Sequence, residues 1–115
     1  MSFTSTVRVP TGNGSRYLQQ LCKHWSHSLV VDFTAEKGSV VFPRDSRGAD
    51  WPAAATLALQ ANKDCLECRI EASAEGQREA LKDVVARHLD RFAFREAPLR
   101  FDWQDEPPSL FPISL

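Results

Sequence analysis

Charge of one sign is scarce in this 115-residue chain: 14 Lys and Arg stand against 15 Asp and Glu, a formal net charge of −1. Residues 1–50 hold six basic and four acidic side chains and the remainder eight and eleven, so neither half can steer a polyanion. Nucleic acid is therefore not expected as a partner, because phosphate binding needs clustered cations. Cysteine is rare too. Cys22, Cys65 and Cys68 are odd in number and too few for the disulfide framework of a small secreted domain. No apolar run approaches the ~20 residues that span a bilayer, and residues 1–6 lack a basic segment followed by an apolar one. The expectation is a cytoplasmic protein with no membrane partner. Repeats of solenoid length are absent, and the length excludes a barrel enzyme of about 250 residues.

What is present fits one folded domain. Phe3, Ser5, Val7 and Val9 alternate with polar residues up to Pro10, which predicts a first strand. Leu18, Leu21, Cys22 and Trp25 recur at helical spacing, predicting a helix from about 16 to 27 with Ser15 as its N-cap. Leu29, Val31 and Phe33, a turn at Glu36-Lys37-Gly38, then Val40 and Phe42 read as a hairpin. The polar stretch 44–50 reads as a loop. Ala53, Ala55, Leu57 and Leu59 share one parity, as do Leu66, Cys68, Ile70 and Ala72 beyond a turn at 61–64, which predicts a second hairpin. Its later strand turns Glu67, Arg69 and Glu71 outward. Ser73 is placed to cap a second helix, whose Leu81, Val84, Val85, His88, Leu89 and Phe92 follow the i, i+3, i+4 rule without a gap. Leu99, Phe101 and Trp103 predict a last strand, and a Pro-rich tail from 104 to 115 follows the domain of residues 1–103.

The order β-α-β-β-β-β-α-β predicts an α+β fold with a single mostly antiparallel sheet and both helices on one face. Four strands between the helices favour a TATA-binding-protein-like arrangement over a ferredoxin-like one.

Three constellations invite chemistry. Cys22-Lys23-His24-Trp25-Ser26-His27 gathers two of the three histidines. On a helix His24 and His27 would lie about 60° apart and could converge on one ion, whereas Cys22 could not join them. A third ligand would have to come from elsewhere, with His88 or Glu96 as candidates. Cys65 and Cys68 have the spacing of a redox pair, but they start an alternating strand, which holds their Cα atoms about 10 Å apart and turns them to opposite faces. Gly12-Asn13-Gly14-Ser15-Arg16 imitates a phosphate cradle without its third glycine or its Lys-Ser/Thr, and reads instead as a tight turn with positive φ at glycine. His88, inside an apolar stripe, is expected half-buried with one nitrogen on a backbone carbonyl. Asp83 and Arg87 are spaced as an i, i+4 pair. No Ser-His-Asp ordering and no isolated acid pair suggests catalysis, so a non-enzymatic module is expected.

Residues 16–27 (RYLQQLCKHWSH) and 88–96 (HLDRFAFRE), with the stretch from Leu99 to Trp103, resemble the bacterial domain of unknown function family 2218 in element order over about residues 3–103. The Pro-rich tail and the Cys65–Cys68 pair stand apart from that pattern. The resemblance brings no catalytic residues, because the family has no established activity. It implies an accessory role in iron acquisition, since relatives occur in company with siderophore and iron-uptake functions. It also turns Lys23, His24, Trp25 and His27, with Arg91, Phe94, Arg95 and Glu96, into a candidate rim for a small anionic or iron-chelating ligand. That rim requires the two helix ends to lie side by side. One alternative is a metal-binding protein or metal-dependent enzyme using His24, His27 and a distant third ligand such as His88. Another is a homodimer docked through Leu110, Phe111, Ile113 and Leu115.

Overall fold

The computed structural model describes residues 2–106. Strand β1 (Phe3–Pro10) leads to helix α1 (Gly14–Trp25), then β2 (Val30–Phe33), β3 (Lys37–Phe42), β4 (Ala55–Ala61), β5 (Cys65–Ala72), helix α2 (Glu75–Phe92) and the short β6 (Gln104–Asp105). Every strand pairing is antiparallel, in the order β2-β3-β4-β5-β1-β6. That order, and not a likeness to the TATA-binding protein, is what the structure establishes.

Strict alternation decides which side of the sheet is covered. Val7, Val9, Val40, Phe42, Leu57, Leu59, Leu66, Cys68 and Ile70 face one way and are buried. They meet Leu18, Leu21, Cys22 and Trp25 of α1 and Leu81, Val84, Val85 and Leu89 of α2. Burying a side chain of this size stabilises by about 1.5–3 kcal/mol. Register lines Phe33, Gly38, Leu59, Cys68 and Val7 across five strands on the covered side. Helix α1 comes closest at Gly38, where a Cβ would stand 2.8 Å from the Cys22 sulfur, so a larger residue there would displace helix or strand.

Several local expectations are corrected. Helix α1 spans 14–25, not 16–27, and is capped by Asn13 with no side-chain bond; Ser15 Oγ donates instead to the Ala35 carbonyl at 2.6 Å. Ser73 is not the cap of α2. That position is Ala74, and the Ser73 N–H and hydroxyl both donate to Gln77 Oε1. Neither Gly12 nor Gly14 has positive φ, because the β1–α1 turn is closed by the Thr11 N–H on the Asp64 carbonyl and the Asn13 N–H on Thr11 Oγ1. Left-handed backbone occurs at Arg47 (φ 60°) and Gly48 (φ 78°), in a short 3₁₀ turn inside the stretch read as a loop.

The last strand is displaced from 99–103 to 104–105. Leu99 is buried, Phe101 and Trp103 stack at 6.3 Å and pack on the core, so the alternation does report which side chains turn inward. Strand pairing begins only where a polar anchor fixes the register. The Asp105 carboxylate accepts Ser5 Oγ at 2.7 Å and Lys82 Nζ at 2.6 Å, and lies 3.4 Å from Arg78. These cations and the Ser5 hydroxyl, Lys82 first, hold Asp105 below the usual carboxylate range.

Candidate functional site

The last turn of α1 meets the later turns of α2. His24 lies 5.3 Å from His88 and 5.8 Å from Phe92 between ring centres, and Trp25 lies 5.0 Å from His88 and 5.1 Å, edge-on, from Phe42. Trp25 is only 5 % exposed and forms the floor, while His24 stands on the surface above it. His88 is half-buried and its Nδ1–H donates to the Val84 carbonyl at 2.7 Å, which fixes the ring and leaves Nε2 as the free nitrogen.

The electrostatics of this corner are one-sided. Burial pushes the His88 pKa down, and the positive fields of His24, Arg47 and Arg91 push the same way against the opposing Val84 carbonyl. Lys23 and Arg91 are exposed in the last turns of their helices. Among the described residues, Lys23, His24, Arg47, His88 and Arg91 make no ion pair within 4 Å, nor do Arg16, Lys37, Lys63 and Arg95 elsewhere, whereas Arg8, Arg44, Arg69, Arg78, Lys82, Arg87 and Arg100 all do. The expected Asp83–Arg87 pair is one of these, at 2.9 Å.

Arg47 was not apparent in the sequence, where it sits in a featureless polar loop. Its left-handed backbone costs about 1 kcal/mol for a residue with a Cβ. Arg47 is also one of the residues lining a hollow of about 240 Å³ beside α2. A larger hollow, of about 560 Å³, lies on the uncovered side of the sheet over Ser39 and Ala58. Its charges are of both signs, and Arg8 pairs with Glu67 there and Arg69 with Glu106.

Family and structural comparisons agree on the frame in which this corner sits. Residues 6–104 match the model of domain of unknown function family 2218, described as an uncharacterised protein conserved in bacteria. The chain belongs to this family. No curated protein matches it. Among solved structures it is similar to PA4090 from Pseudomonas aeruginosa, determined by NMR, at 31 % identity and a TM-score of 0.65, covering 90 % of this chain and 94 % of that one.

Within this member of family 2218 the expected rim divides. Glu96 does not join it. Its carboxylate accepts Thr11 Oγ1 at 2.9 Å, Asn13 Nδ2 at 3.0 Å and the Tyr17 hydroxyl, at the opposite end of α1 from His24. Seven residues of helix, about 10 Å, separate Tyr17 from His24. These donors, Tyr17 first, hold Glu96 below the ordinary carboxylate range, and Glu96 in turn raises the Tyr17 pKa. Phe94 is 71 % exposed, and the Arg95 guanidinium lies over its ring at 5.6 Å in the turn after α2. His27 falls in the turn beyond α1, so the helical spacing that would aim it beside His24 does not apply. Among the described residues no three His, Cys, Asp or Glu side chains are grouped to hold a metal.

Remaining expectations settle simply. The three cysteines are unpaired; Cys22 and Cys68 are buried and Cys65 is half-buried at the head of β5. Burial pushes the Cys22 thiol up to about 11 and the Cys68 thiol higher still, leaving both as packing groups. No helix among the described residues is long and apolar enough to cross a membrane. The apolar tail residues Leu110, Phe111, Ile113 and Leu115 lie outside the described residues.

Proposed function

We propose that this protein is a non-enzymatic binding module that takes a small anionic ligand at the corner formed by Lys23, His24, His88, Arg91 and Arg47. The observation that carries the reading is two imidazoles 5.3 Å apart beside the buried Trp25, with the unpaired Arg47 and Arg91 close enough to act on His88, in a chain whose other arginines on α2 and the sheet are neutralised. A carboxylate placed there gains charge-assisted hydrogen bonds and removes repulsion among its hosts. No nucleophile–base pair accompanies the cluster, which favours capture over chemistry. The accessory role in iron use implied by the family resemblance makes a polycarboxylate iron chelator the ligand class of first interest.

The test is titration of protein made without a histidine tag with citrate, following the His24 and His88 ring resonances by NMR. Saturable shifts with a rise in the His88 pKa are expected, and Lys23→Ala with Arg91→Ala should weaken binding about ten-fold. Titration curves that never saturate overturn the reading. A stoichiometric metal in the untagged protein, lost in the His24→Ala, His27→Ala double variant, would establish the metal-binding alternative instead.

A further inference from the structure

We infer that the hollow beneath the β3–β4 connection seats one aromatic ring, so that hollow and corner together take an amphipathic aryl carboxylate; this deepens, and rests on, the anion-binding reading above. The hollow measures about 240 Å³, and its walls are chiefly Phe42, Pro43, Trp51, Leu81 and Val84. A closed apolar cavity of about 150 Å³ accepts benzene. This one therefore has room for a ring with a short acid arm. Besides the half-buried Ser46 and the exposed Arg47, its one polar lining side chain makes no demand on a ligand: the buried Gln77 accepts the Ser73 N–H and hydroxyl through Oε1 and donates to the Ala53 carbonyl through Nε2. The interior therefore selects carbon over polar atoms.

Recognition of the acid falls to the mouth. Arg47 shares the lining, is exposed, and has no ion-pair partner among the described residues. Val84 of the wall carries the carbonyl to which His88 donates, and Phe42 of the wall touches Trp25, which touches His88. A continuous run of rings thus leads from the hollow to the cationic corner. The far wall is preset: the Trp51 indole lies against Gly76, where a Cβ would come within 3.1 Å of it, and the Trp51 backbone N–H donates to the Arg44 carbonyl at 2.9 Å. Arg44 itself is tied to Asp50 at 2.6 Å, bracing the connection that forms the roof.

The experiment is an NMR titration of the full chain with phenylacetate, with acetate and benzyl alcohol as its two halves. Phenylacetate should saturate, move the Trp51 indole N–H together with the Arg47 and His88 signals, and bind about ten-fold more tightly than either half. Arg47→Gly suits the left-handed backbone, so its unfolding midpoint should hold or rise while phenylacetate weakens about ten-fold and benzyl alcohol is unaffected. Ala80→Phe, at an exposed lining position, should fill the hollow and abolish the Trp51 shift. Phenylacetate no tighter than acetate, with Trp51 unmoved, overturns the ring seat and leaves the anion reading standing. Phenylacetate no tighter than benzyl alcohol, or equal binding by Arg47→Gly, overturns the pairing of seat and cation. Silence from all three probes overturns this inference, while the citrate titration decides the anion reading separately.

Discussion

The two ends of helix α1 treat charge in opposite ways. At its start, the Glu96 carboxylate collects donors from Thr11, Asn13 and Tyr17 and so has its partners. At its end, His24 meets His88 under the fields of Arg47 and Arg91, and no acid closes the group among the described ion pairs. A satisfied network fastens the turn after α2 onto the β1–α1 loop and does structural work. An unsatisfied one of a single sign weakens the fold slightly, and it is there that the proposed ligand would bind. The sequence put Glu96 and His24 in one candidate rim, so the contrast separates staple from candidate site.

Breaking the staple should have the largest effect. Glu96→Ala leaves the nearly buried Thr11 and Tyr17 hydroxyls without their acceptor, and a loss of about 1–2 kcal/mol is expected in urea unfolding, the exposure of Glu96 keeping it in that range. An unchanged midpoint would equate the two ends. Next in size is the effect of pH. The folded protein holds His88 below the ordinary imidazole value, so it binds that proton less readily than the unfolded chain does. Stability should be complete above about pH 6.5 and fall as pH drops below it, before Glu96 and Asp105 lose their contribution at pH values under about 4. Thermal melts between pH 7 and 5 check this, and His88→Gln should flatten the curve. The smallest effect belongs to the open end itself. Lys23→Gln and Arg91→Gln should leave stability within about 0.5 kcal/mol or raise it, because each removes repulsion and no partner; a clear loss in either melt would reveal a hidden acid and blur the contrast.

Periodicity made the fold legible. The gapless stripe of α2 and the shared parity of β4 and β5 report burial, and burial is what those residues do. The final segment shows the limit of that signal. Leu99, Phe101 and Trp103 alternate and pack inward, yet strand pairing waits for Asp105, because alternation marks facing and not hydrogen bonding. The candidate site was half legible. His24, Trp25 and Arg91 stood out by type and position. Glu96 was misplaced because its partner Tyr17 lies 79 residues away, a relation no local pattern encodes. Arg47 escaped because its distinguishing property is a backbone angle, and the only trace of it in the sequence is the glycine that follows.

The unequal burial of the three thiols gives the molecule a ready-made handle. A maleimide dye or spin label should add at Cys65 alone, since Cys22 is wedged against Gly38 and Cys68 lies under the helices. Cys65 opens β5 beside the β1–α1 turn, at the stapled end of α1. A reporter attached there to the unmutated chain would follow unfolding while leaving the His24–His88 corner undisturbed.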